Sequence, residues 1–575
     1  MELHVCANVR EGTTMRALKL WIGFCVLVFL NGCIGPTPGE RSSPPPSQPS
    51  VAQAQTTNVV ARLNERFANT TQSCSDATPA YTCSGVLFRR ATYNPAIDFW
   101  KHSAAAQALG SVTFSFLRAD ANTTLSDSSG FIFMDTLTAQ QEGKVWPGVR
   151  CIYPFIAGTQ NAGRPLHGCG FATPSGSSTI EESTCAGLVV PAVTPDLWIA
   201  NFVRFGSTPR NQCSLSAQDP AQFMTSLTVR NRLPDQARTL LNEVLVPTWD
   251  VDTPERLPIE AFFYNSAHAG SLVNAQALRH AYKVRTGQSL PIVRLNFTAP
   301  ATERFTQRPQ DQEDGWEVAE RLNARFSDTD RQCADGRAPV YCNGVLARAT
   351  VYSPAFHAWN PNPNTNPKDA VSFSYMRADV RTVKLFYPQG LLFGSLGYSA
   401  DPGVEVITPL CIYMADANTW SRTTQGCGAG TDYPSDSGPC ASMGINDLTA
   451  LGNHFSKVPA DPAWRRLHHQ CSLAIQPASF MLAIEGRAQF VGGTENPYYG
   501  YNETMLKAWP QNIPDRLPLD AIFYTTEGGT AALDQAKQMQ QDLFRSSASL
   551  VKPVVRLTLG ATAPAFTYRR EDQGY

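Results

Sequence analysis

The sequence predicts an α+β fold built from two homologous disulfide-stapled domains, each with a mainly antiparallel or mixed sheet, a few helices and a loop-rich middle. Three observations lead to this prediction: a long internal repeat, six cysteines in each repeat, and apolar residues that alternate with polar ones at matching positions.

The internal repeat is visible in short stretches along the whole chain. The stretch 62–67 (RLNERF) recurs as 321–326 (RLNARF), and the closing stretch 291–295 (PIVRL) recurs as 553–557 (PVVRL). A repeat of this length is a whole domain, because solenoid units are much shorter. We therefore predict domains at 58–300 and 315–575, joined by a linker at 301–314.

The amino-terminal segment 1–33 predicts export. Arg16 and Lys19, after the predicted start at Met15, precede an apolar run at 20–30, which is followed by Gly32 and Cys33. The run is shorter than the roughly 20 residues that a spanning helix needs. We expect lipidation at Cys33 and an outer-membrane or cell-surface location, with a periplasmic or secreted product as the alternative. The Pro- and Ser-rich stretch 34–57 predicts a flexible tether.

Charge and cysteine content narrow the class of protein. The net charge of -1 and the pI of about 6.8 indicate no nucleic-acid partner, and no cysteine and histidine spacing predicts a metal site.

Six cysteines in each domain indicate three disulfides and an oxidising compartment. Spacing leaves 15 pairings open. We expect Cys74 to pair with Cys83, and Cys169–Cys185 to nest inside Cys151–Cys213. The second domain should follow the same scheme with Cys333, Cys342, Cys411, Cys427, Cys440 and Cys471.

Hydrophobic periodicity predicts the main elements. Alternation at 111–116 and at 371–375 indicates half-buried strands, and 259–264 and 519–524 indicate further strands. Helices are expected at about 272–284 and 531–544, each followed by a closing strand.

An Arg-Ala-Asp triplet follows the alternating strand in both domains. Counting by two places Arg118 and Asp120, and likewise Arg377 and Asp379, on the buried face as the strand ends. One interpretation is an ion pair that supports the fold. The other is a guanidinium that binds a phosphate or carboxylate of a ligand.

An Asn-Glu pair precedes a tryptophan in both domains. Glu243 stands before Trp249, and Glu503 stands before Trp509. Met505, Leu506 and Trp509 have helical spacing, which would direct Glu503 to another face. Such a carboxylate is either a solvated helix residue or a catalytic group that stabilises a sugar cation.

His469, beside Cys471, has no counterpart in the first domain. Histidines next to a disulfide are usually structural, but a catalytic role for His469 would restrict that step to the second domain.

These residues together resemble the secreted halovibrin-like proteins, which are associated with NAD glycohydrolase and ADP-ribosyltransferase activity. The resemblance is carried by 62–67 and 321–326, by 341–346 and 371–379, by Gln425 to Gly428 and by 469–471, with Asn502 and Glu503. It implies an enzyme without a cofactor, acting on NAD mainly in the second domain. Glu503 would stabilise the ribose cation, Arg377 would hold the diphosphate, and Trp509 or Tyr524 would flank the nicotinamide.

The alternative is a non-enzymatic surface module that binds a host or surface partner through two linked copies.

Overall fold

The computed structural model describes residues 51–575 except 122–127, 158–183, 205–211, 234–240, 266, 363–368, 381, 398–402, 418–426, 428–438, 457–469, 492–499, 548–549 and 561–564. The signal segment with Cys33, and also Cys169 and His469, lie outside the described residues. The described chain forms one compact unit, Val51–Tyr575.

The first half of the described chain contains a mixed sheet of nine strands in the order β5-β4-β6-β2-β1-β3-β7-β8-β9. Neighbouring strands are antiparallel, except that β7 and β8 run parallel. The strands are β1 (Val86–Arg90), β2 (Ser111–Leu117), β3 (Ser129–Phe133), β4 (Cys151–Tyr153), β5 (Leu215–Ser216), β6 (Glu243–Pro247), β7 (Ile259–Asn265), β8 (Ile292–Leu295) and β9 (Phe305–Thr306).

The second half of the described chain contains a nine-stranded sheet in the corresponding order, β14-β13-β15-β11-β10-β12-β16-β17-β18. Its one parallel pair, β16 and β17, matches that of the first sheet. The strands are β10 (Val345–Ala349), β11 (Ala370–Met376), β12 (Gln389–Phe393), β13 (Pro409–Tyr413), β14 (Leu473–Ala474), β15 (Glu503–Lys507), β16 (Ala521–Thr525), β17 (Val554–Leu557) and β18 (Phe566–Tyr568).

Helices pack on both faces of each sheet. The described helices are α1 (Val51–Ala68), α2 (Ala104–Leu109), α3 (Thr136–Gln141), α4 (Pro195–Arg204), α5 (Pro220–Arg232), α6 (Ala269–Thr286), α7 (Gly315–Ser327), α8 (Leu448–Ser456), α9 (Pro477–Gly486) and α10 (Gly529–Ser546). Among these described residues, no helix combines the length and apolar character needed to cross a membrane.

The two faces of the second sheet have different cores. Face A carries Phe373 and Tyr375 and packs against α9 and α10. Face B carries Phe523 and packs against Leu322 of α7. In the first sheet, α5 and α6 cover face A, and α1 covers face B. These layers confirm the predicted α+β class, in which sheets bury their apolar faces against helices.

A glycine in each sheet allows two strands to approach closely. A Cβ atom on Gly130 of β3 would lie 1.9 Å from the carbonyl oxygen of Arg89, and one on Gly390 of β12 would lie 1.9 Å from that of Arg348. Real Cβ atoms cannot approach so closely, so glycine is required at both positions.

The predicted helical segment after Glu503 is wrong. Residues 503–507 form β15, which pairs with β11 on one side and β13 on the other. A short apolar run does not distinguish a strand from a helix by its spacing. Here the two neighbouring strands supply the hydrogen bonds that decide the conformation.

The disulfides confirm one predicted pairing and correct the nested one. Cys74–Cys83 and Cys333–Cys342 form as expected, each across nine residues. The nested pairing is wrong: the loop-rich middle contains Cys185–Cys213 in the first half, and Cys411–Cys427 and Cys440–Cys471 in the second. Cys151 is also disulfide-bonded. Each of these three bridges joins cysteines that are consecutive along the chain, and their Cα atoms lie 5.0, 5.6 and 4.9 Å apart, as a disulfide requires.

Candidate functional site

Glu503 and Glu243 occupy equivalent positions in the two sheets. Each is the first residue of its strand and lies opposite the last residue of the neighbouring strand β13 or β4. They are only 3% and 1% exposed. The amide of Ala417 donates to Glu503 Oε2 at 2.9 Å, and the amide of Ala157 donates to Glu243 Oε2 at 2.6 Å. Both carboxylates are therefore oriented by the main chain just beyond a strand.

Asp416 and Tyr501 adjoin Glu503 in the second half. The Tyr501 hydroxyl donates to Asp416 Oδ2 at 2.7 Å, and Asp416 directly precedes the residue whose amide binds Glu503. We call Asp416, Tyr501 and Glu503 the acidic cluster. It brings together two carboxylates and a phenol at the ends of β13 and β15.

The first half does not repeat the acidic cluster. Ile156 stands where the second half has Asp416, and Leu241 stands where it has Tyr501. Glu243 is instead bound by the Thr113 hydroxyl at 3.2 Å. A position-by-position comparison of the two halves finds this difference in the sequence. Only the strand register shows that the three positions are neighbours.

Side-chain amides fix the chain around the acidic cluster. Asn502 accepts from the Tyr375 amide and donates to the Tyr375 carbonyl, both at 2.7 Å. Gln470 makes the same two bonds with Ala415, at 3.0 and 3.2 Å. Asn242 and Gln212 make the corresponding bonds in the first half. These amides replace the ladder bonds that β11 and β13 lose where they end, so they hold Glu503 and Asp416 in position.

A buried arginine lies at the same end of each sheet. Arg487, at the end of α9, donates through Nη1 to the Met414 carbonyl at 3.0 Å, and Arg230 of α5 donates to the Pro154 carbonyl at 3.2 Å. Burial lowers the pKa of both guanidinium groups to about 10. Both side chains remain cationic at neutral pH and hold the main chain just after β13 and β4.

Arg377 and Arg118 are buried and engaged with their own halves. Arg377 forms a bidentate ion pair with Asp379 at 2.6 and 2.7 Å and donates from Nη1 to the Asp330 carbonyl at 2.9 Å. Arg118 does the same with Asp120 and Thr71. Neither arginine side chain is exposed, whereas the two aspartates are partly exposed. A ligand would reach either guanidinium only if these bonds broke.

Arg377 and Glu503 lie on opposite faces of the second sheet. Arg377 continues the alternation of Phe373 and Tyr375 on face A. Glu503 continues the alternation of Met505, which belongs to the separate buried cluster of face B. Successive side chains of a strand point to opposite faces, so the sheet itself separates the two groups.

Trp509 and Tyr524 lie at the other end of the second sheet. Trp509 follows Lys507, the last residue of β15, and β15 spans about 13 Å at about 3.3 Å per residue. Tyr524 is at that end too, because it pairs with the first residue of β12. The Trp509 Nε1 donates to the Trp359 carbonyl at 3.0 Å, and the Tyr524 hydroxyl donates to Asp572 at 2.6 Å. The sequence-predicted site residues thus do not converge on one point.

His469 lies within 457–469, which is outside the described residues, so the structure does not test its predicted role. Within the described ranges, no three His, Cys, Asp or Glu side chains form a group that could hold a metal ion.

No protein-family profile matches the chain, and no curated protein matches its sequence.

Proposed function

We propose that this chain is an exported, halovibrin-like NAD glycohydrolase, or a related ADP-ribosyl-transferring enzyme, whose activity resides in its second half. The observation that carries the proposal is the acidic cluster of Asp416, Tyr501 and Glu503, together with its apolar replacement in the first half. Two homologous domains would then have diverged, with one retaining the chemistry and the other the scaffold.

The acidic cluster suits cleavage of an N-glycosidic bond. In this reaction the bond between ribose C1′ and the nicotinamide nitrogen breaks, and the electron pair leaves with nicotinamide. A fixed carboxylate such as Glu503 stabilises the cation that develops on the ribose. A second carboxylate, Asp416, accepts the proton of the water that adds to C1′, and the products are ADP-ribose, nicotinamide and a proton. The Tyr501 hydroxyl orients Asp416 by its hydrogen bond.

In this proposal we assign other roles to the remaining candidates. Arg377 and Asp379 support the end of β11 from face A, and Arg118 and Asp120 do the same for β2. Trp509 and Tyr524 stabilise the far end of the sheet rather than flank the nicotinamide. His469 stays a candidate acid or base of the second half.

The decisive experiment measures nicotinamide release against NAD concentration for the full-length, oxidised protein. Glu503→Gln keeps the shape of the side chain but removes its negative charge, so turnover should fall about a hundredfold or more. The matched control is Glu243→Gln, the equivalent change in the first half, which should leave turnover unchanged. Asp416→Asn should also lower kcat, because the amide cannot accept the proton.

Melting curves with and without NAD test folding and binding in the same samples. The enzyme proposal fails if the wild-type protein releases no nicotinamide and shows no NAD-dependent shift in Tm. If turnover exists but Glu243→Gln abolishes it and Glu503→Gln does not, the activity belongs to the first half.

A second candidate function is a surface-binding module that uses its two copies for avidity. This function is favoured by the hydrogen bonds that both Arg-Asp pairs and both Asn side chains make within their own halves. A scaffold requires buried polar groups that are already hydrogen-bonded in this way. We place either function outside the cytoplasm, on a chain anchored to outer-membrane lipid through Cys33.

A further inference from the structure

A cavity of about 770 Å³ lies where the two halves meet. The first half contributes the end of β1, the start of β3 and the start of α6. The second half contributes Phe544 of α10, together with Arg570 and Tyr575. The volume is within the roughly 300 to 1,000 Å³ of small-molecule sites. Neither half forms this cavity by itself.

Two arginines, Arg90 and Arg570, line the cavity together with His268, and no Asp or Glu side chain is among the described lining residues. Arg90 is exposed and makes no ion pair with a described residue. Arg570 donates from Nη1 to the Tyr575 main-chain oxygen at 3.2 Å, so Arg90 is the arginine of the wall without such a bond. The cavity therefore favours an anion.

Helix α6 begins at the cavity wall. It is 18 residues long, and the side chain at its N-cap, His268, makes no capping hydrogen bond. The Ser271 amide donates to the His268 carbonyl at 3.1 Å, and amides of a first helical turn that lack a partner within the helix attract negative charge.

Ser271, in that first turn of α6, is 6% exposed and lines the cavity. Its hydroxyl makes no hydrogen bond with any described residue. The hydroxyl lines the cavity, so a group bound there can supply its hydrogen bond. This second observation, independent of the helix end, also indicates a ligand.

The second half has different residues at the positions equivalent to the polar cavity wall. Ala349 stands where the first half has Arg90, and Ala531 stands where it has Ser271. Gly528 replaces His268, and a Cβ atom there would lie 2.5 Å from Ala532 and 2.6 Å from Pro388. The second half therefore lacks Arg90, His268 and Ser271 at the equivalent positions.

We propose that the cavity between the halves binds a small organic anion, whose phosphate or carboxylate group contacts Arg90, the Ser271 hydroxyl and the first turn of α6. The ring pair Phe544 and Tyr575, with centroids 6.0 Å apart, forms the apolar wall for the rest of the ligand. This site is separate from the acidic cluster and does not depend on the enzyme proposal.

Calorimetric titration of the full-length, oxidised protein tests the proposal, with inorganic pyrophosphate and citrate as the phosphate and carboxylate probes. We expect saturable binding of at least one probe, weakened when NaCl is raised from about 0.05 to 0.5 M. Arg90→Ala, which installs the residue of the second half, should weaken binding about tenfold or more, because it removes a charge-assisted bond. Ser271→Ala should weaken it by a smaller factor.

The matched control is Arg569→Ala, which removes an exposed arginine next to Arg570 that does not line the cavity. It should leave binding unchanged. Arg90→Ala should keep the wild-type Tm. The proposal is overturned if neither probe binds, or if Arg90→Ala and Ser271→Ala both bind as the wild type does. Preference between the two probes identifies the anionic group.

Discussion

Arg377 shows how a charged residue is used inside this fold. Its guanidinium is unexposed, and its nitrogens bind the carboxylate of Asp379, the Asp330 carbonyl and the Asn343 side chain. Burial alone lowers the pKa of Arg377, but the bonds to Asp379 raise it above the usual value. Replacing a buried cation that has these partners lowers stability, because each partner loses a hydrogen bond.

Arg377→Lys should therefore lower the free energy of unfolding by about 3 to 5 kcal/mol, as expected for breaking a buried pair. An ammonium group cannot make the bidentate contact with Asp379. Urea titration measures the effect, and Arg331→Lys is the control, because that exposed pair with Glu485 contributes at most about 1 kcal/mol. Unchanged stability combined with weaker NAD binding would instead indicate that Arg377 contacts the ligand directly.

The start of α7 joins the two halves at the scale of elements. Asp314 is its N-cap and forms a capping box with Glu317. Arg279 of α6 donates to Glu317 at 2.6 Å and to Asp314 at 3.4 Å. Trp316 stacks on His280, with ring centroids 4.1 Å apart. A single turn thus combines helix capping with contacts to the last long helix of the first half.

Asp314→Asn should lower the free energy of unfolding by about 2 to 4 kcal/mol at pH 7. Burial alone raises the pKa of Asp314, but His280, the Glu317 amide and Arg279 together lower it below its usual value. A lowered pKa in the folded state means that this stability is present above about pH 4 and is lost as the pH falls through the folded value.

The difference between wild type and Asp314→Asn should consequently shrink when the urea titration is repeated below about pH 4. Asp534→Asn, an exposed change on α10, is the control and should have little effect at either pH. A difference that stays constant down to about pH 2 would contradict the assignment of the effect to this carboxylate.

At the scale of the whole molecule, two sheets of the same strand order lie in one compact unit. Strand β9 and the turn that carries Asp311 lie in the segment assigned to a linker from the sequence. The Tyr264 hydroxyl binds Asp311 at 2.5 Å, just as Tyr524 binds Asp572. The disulfides of both halves are compatible with an exported protein.

Cys33→Ser should release the protein from the membrane fraction or block its processing, because the thioether at this position would carry the acyl chains. Each buried methylene contributes about 0.8 kcal/mol of membrane affinity. Detergent phase partitioning and the mass of the processed amino terminus measure the outcome. Cys25→Ser, within the apolar run, is the control and should change neither. Unchanged partitioning of Cys33→Ser would count against a lipid anchor.

The sequence by itself determined the α+β class, the strands at 111–116 and 371–375, the long helices α6 and α10, and the local disulfide Cys74–Cys83. These features follow from periodicity or from proximity along the chain, which a sequence displays directly.

Only the tertiary structure decided the strand at Glu503, the pairing Cys185–Cys213, and the separation of Arg377 from Glu503 by the sheet. It also brought Asp416 and Tyr501 together across 85 residues and formed the cavity from both halves. The physical reason is that strand order, register and the choice of face depend on hydrogen bonds and packing between distant segments, which local patterns do not encode.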